Sequence, residues 1–252
     1  MPRDSALRTA ALVRLNTALL LRESGPLVSR LVLPLILLTL MRPLYQAAQG
    51  GAAGTEQAVV GILVMFSLLG MSLVGSAVLQ ERVWRTWDRL RTTPARPVEL
   101  LAGKGLPVLV ALLLQQALVL GYGAGLLGLD VRAPALLGVA CLAWTVALLA
   151  MGAALGAAAR SFGELSAAYD IGGMLLSALG GALVPLAELP RWVGAVAPLS
   201  PGYWGFGALR GAVRGDAGAV FAASGALLGF AAVAGVAAAW AIGRGRARSD
   251  RL

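Results

Sequence analysis

The run from Ala58 to Leu79 holds 22 residues and not one charge. At ~1.5 Å per residue a helix of that length reaches about 33 Å, enough to cross a ~30 Å hydrocarbon core. Comparable runs recur along the chain, which restricts it to a short list of architectures. Only 13% of the residues are charged and the mean hydropathy is +0.79. A soluble domain carries about 25% charged residues. The reading is an all-α polytopic membrane protein forming one integral domain over residues 1–252. Gly (33 residues) and Ala are abundant. Small residues let helices approach closely in lipid, where packing replaces the hydrophobic effect as the adhesive.

Six spans are expected, at about 27–45, 58–79, 105–129, 135–159, 165–187 and 217–243. The first is the least regular, because Arg30 and Arg42 flank a short apolar core from Leu31 to Met41. Long arginine side chains there can snorkel to either interface. Residues 4–23 form a further expected helix. Its Arg3, Arg8, Arg14 and Arg22 fall within about 140° on a helical wheel, which suits a helix resting on the bilayer surface. The first strongly apolar stretch starts only after these arginines, and no short apolar core with a small-residue cleavage site follows, so a signal peptide is not expected.

Charge sets the orientation. Five arginines lie in the tail up to Arg30, six basic residues in 80–104, Arg160 between spans four and five, and four arginines from Arg244 onward. The opposite side holds five, namely Arg42, Arg132, Arg191, Arg210 and Arg214. The positive-inside rule makes the richer side cytoplasmic, with both termini there. The net charge of +9 is thereby assigned to topology, and no nucleic-acid partner is expected.

The segment between spans two and three is the polar exception. At 100° per residue Val83, Trp84, Trp87 and Leu90 share an arc of about 120°, and Glu81, Arg82, Arg85, Asp88 and Arg89 take the opposite arc. Such a helix, expected over 81–93, has one face to bury and one to present. Thr93 before Pro94 ends it, because the residue preceding proline is pushed out of the α region. The segment could lie on the bilayer or dock a cytoplasmic subunit, for which tryptophan and arginine are the usual anchors. A second irregular stretch, 188–214, is too apolar for a free loop and too broken by proline for a span. It reads as short re-entrant helices at the outer interface, where Trp192, Tyr203 and Trp204 each keep one wet end.

Chemistry is sparse. With no histidine and a single cysteine, Cys141, neither a His-based metal site nor a Cys/His nucleophile can be built. Gly103-Lys104 lacks the upstream glycine of a phosphate loop, so this sequence offers no ATP site of that type and no case for an enzyme. Asp170 is the one carboxylate inside a span, about 8 Å of helix rise from the expected cytoplasmic end. An interfacial place, a helix–helix contact and a transport-active acid all remain open for it. Gln115 and Gln116 lie mid-span, where interhelical hydrogen bonding is the simplest role and a polar pathway the sharper one.

Several pieces occur together in one order. Glu81-Arg82, Thr86, Asp88-Arg89-Leu90, Thr93-Pro94 and Glu99 through Gly103-Lys104 follow the second span. Pro198-Leu199-Ser200-Pro201-Gly202-Tyr203, ending in Ala208-Leu209-Arg210, precedes the last. With the six-span layout, these resemble the ABC-2 type transporter permease family, above all its drug-resistance exporters of actinobacterial type. Arg85 stands where that family commonly has glycine. The resemblance implies a half-transporter in the cell membrane. Two permease chains, as a homodimer, would form the pathway, with two separate ATPase subunits docked below holding ATP and Mg. This chain would bind no cofactor and no metal. The 81–93 helix would be the coupling helix, and the 188–210 region would close the outer side. Cargo in the family is mostly amphipathic: drugs, natural products, lipids or polysaccharides. A proton-coupled carrier using Asp170 and a non-transporting membrane anchor are the alternatives.

Overall fold

The computed structural model describes residues 2–22, 24–83 and 97–249. Among them every regular element is helical. In chain order these are α1 (Pro2–Arg22), α2 (Ser24–Gln49), α3 (Gly51–Gly70), α4 (Ser72–Val83), α5 (Pro97–Leu126), α6 (Pro134–Ala158) and α7 (Phe162–Leu179). Three short pieces follow: a 3₁₀ turn at Leu186–Glu188, α8 (Arg191–Val196) and a second 3₁₀ turn at Ala197–Leu199. Then come α9 (Pro201–Arg214) and α10 (Ala217–Ser249). Backbone polar groups find no water in lipid, so helices satisfy them internally. Among the described residues, five helical stretches are long and apolar enough to cross a membrane: Val28–Gln49, Gly51–Gln80, Gly105–Leu126, Pro134–Ala158 and Ala217–Ala241.

The second of these is central. Every residue from Gln57 to Leu68 is buried, so α3 is enclosed on all sides by α2, α5, α7 and α9. The crossing is not one rod. Met71 interrupts it, its N–H shared between the Leu68 and Leu69 carbonyls, and α4 restarts at Ser72. α4 then lies against α6 at a glycine crossing. A Cβ on Gly156 would stand 2.4 Å from the Gly75 carbonyl oxygen, and one on Gly152 2.7 Å from that of Met71. Only glycine permits those approaches. α10 covers α6 and α9, leaving Val233 and Val236 on its open face.

Two expected spans end early, each for a local reason. The third stops at Leu126 instead of 129. Gly128 turns through φ +74°, and the Leu127 and Leu129 amides both donate to the Gly123 carbonyl at 3.2 and 2.9 Å. The fifth begins at 162 instead of 165 and stops at Leu179 instead of 187. Ser161 caps its start by accepting from the Glu164 amide, while the Glu164 carboxylate accepts from Arg160 N. Gly181, at φ +77°, ends it. Its 18 residues reach about 27 Å, a little less than a full hydrocarbon core.

The two ends of the bundle are distinct. At one, α1 packs on the start of α5, and Asn16 donates to the Gly103 carbonyl at 3.2 Å. At the other, Arg42, Arg132, Arg210 and Arg214 gather through the contacts described next.

Candidate functional site

Glu81 and Arg82 occupy the last turn of α4, the second half of that crossing. Trp84, Arg85, Trp87, Asp88, Arg89, Leu90, Thr93 and Pro94 lie outside the described residues, and with them most of the expected 81–93 helix. Glu99 and Lys104 fall on the first turns of α5. The segment joins α4 to α5, and α1 lies alongside the latter.

The far end is built around one carboxylate. Glu56, on the first turns of α3, accepts from Arg210 Nε at 2.6 Å and from Arg214 Nε at 2.9 and 3.0 Å. Its side chain is only 13% exposed, whereas Arg214 is 50% exposed. Arg210 also stands over the Phe206 ring, 5.6 Å from its centroid. Arg42 does not snorkel outward. It turns inward and donates to the Leu127 carbonyl at 2.9 Å. The Arg132 amide donates to the Val213 carbonyl at 2.9 Å. α2, α3, α9 and the turn after α5 are joined there. Sequence periodicity does not single out Glu56; its one local signal is a carboxylate at the mouth of an uncharged run, with two arginines four residues apart on α9 to answer it.

Between α7 and α8 the chain enters the bundle as irregular backbone. Ala182 is fully buried. Three successive carbonyls are satisfied by side chains: Gln57 Nε2 donates to Gly181 and Ala182 at 2.9 and 3.2 Å, and Tyr45 Oη to Leu183 at 2.7 Å. Non-helical backbone at such depth is tolerable only when its polar groups are met within the protein. Gly61 makes room for it, because a Cβ there would sit 1.9 Å from the Ala182 oxygen. The plug formed by 180–185 is held from below by α9. Ser200 caps that helix by accepting from Gly202 N, and its own hydroxyl donates to the Leu176 carbonyl at 2.6 Å. Trp204 Nε1 donates to the Pro198 carbonyl at 2.8 Å and meets Tyr203 edge to face. Pro201 opens the helix at its first position, where its missing N–H costs nothing. Trp192, 64% exposed, faces outward. A cavity of about 540 Å³ lies beside the plug, bounded by Gly180, Pro185, Trp204, Phe206 and Arg210.

Deeper in the bundle Gln116 Nε2 donates to Thr145 Oγ1 at 2.7 Å, tying α5 to α6. Gln115, also buried, faces Gly70 on α3. Asp170 is exposed on α7, eight residues beyond its first residue and so about 12 Å along it. That is deeper than a start at 165 implied. It lies within electrostatic reach of Arg30. Arg30 does not snorkel either; its guanidinium turns inward to the Ser72 hydroxyl.

These observations describe a multi-pass bundle with a charged segment at one end and a carbonyl-latched plug at the other. No curated protein matches the chain. The family model described as ABC-2 type transporter matches residues 8–213, from α1 through α9. The chain belongs to the ABC-2 type transporter family and is a permease of the ABC transporter type.

Proposed function

We propose that this chain is the membrane subunit of an ATP-driven exporter, working as a homodimer with two separate ATPase subunits that hold ATP and Mg. The family match across residues 8–213 carries the reading. The polar segment at 81–96 supports it. It hangs between α4 and α5 and lacks a phosphate loop, so the energy enters through another protein. Glu81, Arg82, Trp84, Arg85, Trp87, Asp88, Arg89 and Leu90 form the docking face, followed by Thr93, Pro94, Glu99 and Lys104. The arginine distribution supports a plasma-membrane location with both termini in the cytoplasm. On that topology the plug and its Glu56 cluster lie outside, and α7 with the segment after it makes the fifth of six crossings. The apolar faces and the wet aromatic rim favour an amphipathic or hydrophobic cargo, such as a drug, natural product or lipid. The chain itself performs no catalysis and binds no cofactor.

Co-expression with the ATPase of a neighbouring reading frame should yield a complex that moves an amphipathic dye across vesicles at the expense of ATP. Arg89→Glu should abolish transport while hydrolysis continues. Failure of every such ATPase to co-purify would defeat the proposal. Transport driven by a pH gradient without ATP, lost in Asp170→Asn, would establish the carrier instead.

A further inference from the structure

Arg210 is held from two sides and left open on a third. Its Nε donates to Glu56, and its guanidinium stands over the Phe206 ring, 5.6 Å from the centroid. Its two amino groups, Nη1 and Nη2, find no acceptor among the described residues. A guanidinium carries five N–H donors in a planar fork, so most of the fork is unused. Arg210 and Arg214 also share a single carboxylate, which leaves one positive charge over. Asp216, the next carboxylate along the chain, caps α10 by accepting from the Ala219 amide at 3.0 Å.

The same arginine borders the cavity of about 540 Å³ beside the plug, and is the one charged residue among the described residues that line it. α9 adds Tyr203 and Gly207, about two turns and one turn before Arg210 on the same face. α10 adds Ala219, Ala222 and Ala223, again one helical face, and the plug adds Gly180. Trp204 spends its indole N–H on the Pro198 carbonyl, so it offers the cavity an apolar ring. A Cβ on Gly207 would meet nothing within 4 Å, so the protein leaves that part of the cavity unfilled. α9 begins at the buried Pro201 and Gly202 and ends at the exposed Arg214. The cavity is therefore a slot, about 10 Å long from Tyr203 to Arg210, with a cation at its open end and apolar walls further in. Ala219 to Ala223 lie about 3–9 Å of rise from Ala217, where the last crossing starts. Lipid head groups and the first methylenes of their chains occupy that level. The slot accepts an alkyl chain, and the free edge of the guanidinium accepts a phosphate in two-point contact. A zwitterionic head group would bring an ammonium toward two arginines that share one anion.

We propose that the slot between α9, α10 and the plug binds an acidic phospholipid of the outer leaflet, its phosphate on Arg210 and one acyl chain against Gly207. The choice of leaflet rests on the exporter topology; the slot and its charge do not. Asp216 is the competing negative charge at the open end. A lipid seated there touches the plug and the α9–α10 hairpin together.

The test uses the full chain purified in dodecyl maltoside, without ATPase. It is titrated with phosphatidylglycerol, phosphatidylethanolamine and glycerol 3-phosphate, and bound copies are counted by native mass spectrometry. Wild type should hold phosphatidylglycerol roughly fivefold more tightly than phosphatidylethanolamine, the effect of about one basic residue on an anionic lipid. Glycerol 3-phosphate, which has no chain, should not be retained. Arg210→Gln should lose the preference and Arg210→Lys should keep part of it. Gly207→Leu fills the slot and suits a helix better than glycine. It should abolish retention while the thermal midpoint in lipid-free detergent holds or rises, a split that a merely structural glycine would not give. Asp216→Asn keeps the cap, removes the competing charge and should tighten binding. Arg191→Gln, exposed and outside the slot, should change nothing. If Arg210→Gln does not fold, Gly207→Leu and Asp216→Asn carry the test, and unchanged retention in both overturns the proposal. Equal losses in Arg191→Gln and Arg210→Gln would mean diffuse surface attraction and overturn it too, as would retention of glycerol 3-phosphate equal to that of the lipid. Ala222→Cys, in a Cys141→Ala background, should remain monomeric on oxidation. A disulfide-linked dimer would seat a second copy of the chain in the slot and overturn the proposal. The same cysteine should react with an impermeant maleimide added outside intact cells. Reaction only from inside, with lipid preference kept, refutes the exporter topology and the outer leaflet with it; reaction from outside without lipid preference refutes this site alone.

Discussion

Gly61→Ala is the sharpest test of the plug. The added Cβ would lie 1.9 Å from the Ala182 carbonyl oxygen, against a backbone atom that cannot rotate away. Carbon and oxygen do not approach within about 3 Å, so the plug must rise from α3 by roughly 1 Å. Overpacking of this kind costs about 1–3 kcal/mol. The same movement stretches the two bonds from Gln57 and the one from Tyr45, each contributing about 0.5–1.5 kcal/mol. A loss near 3 kcal/mol for local opening follows. Because 1.4 kcal/mol is about a factor of ten, the opened population should rise roughly 100-fold. The assay is labelling of Ala182→Cys by a membrane-impermeant maleimide, in a Cys141→Ala background that removes the native thiol. Labelling should be slow with Gly61 intact, because Ala182 is fully buried, and about two orders of magnitude faster with Gly61→Ala. Gly121→Ala, with open space around the new methyl, should leave the rate unchanged. Equal rates in Gly61→Ala and its parent would refute the argument that glycine is required there.

Substitutions at four other sites follow from the same geometry. Glu56→Gln should destabilise the detergent-solubilised protein by about 1–3 kcal/mol, since it leaves the half-buried Arg210 without its anion. Arg214→Gln should cost well under 1 kcal/mol, being half exposed; denaturant titration reads both, and the reverse ranking would contradict the cluster. Gly156→Ala should separate α4 from α6 at a cost of about 1–3 kcal/mol, visible as a lower thermal midpoint. Ser161→Ala should cost about 0.5–2 kcal/mol by removing the cap of α7, and Ser161→Asp should retain most of that.

Five of the six expected crossings were legible because each rests on a local property, a mostly apolar run long enough for the bilayer. The ends of the third and fifth were not. Gly128 and Gly181 terminate those helices by adopting left-handed φ values, and a glycine inside an apolar, glycine-rich run carries no mark of which one will do so. The aromatic residues of 188–214 were readable as an interfacial group from their chemistry. Their partners were not, because Ser200 bonding Leu176, or Gln57 bonding Gly181, joins residues far apart in sequence. Arg30 and Arg42 illustrate the limit. Snorkelling is the general habit of an arginine near a helix end, but here Ser72 and the Leu127 carbonyl lie within reach and hold the guanidinium inward.

The one-residue interruption at Met71 divides the second crossing into two levers. The first, α3, is enclosed on every side and carries the glycine seat of the plug. The second, α4, is fastened to α6 through Gly75 and Gly156 and leads toward the polar segment. A force applied at Val83 is therefore borne first by α4 and α6 as a pair. It reaches α3 only through that interruption, where the regular hydrogen-bond ladder is replaced by the Met71 amide shared between the Leu68 and Leu69 carbonyls. Ser72, which holds Arg30, is the first residue of α4 beyond it. Paired spin labels on α3 and α4 should report a change in the angle between them during turnover, while labels on α4 and α6 keep a fixed distance.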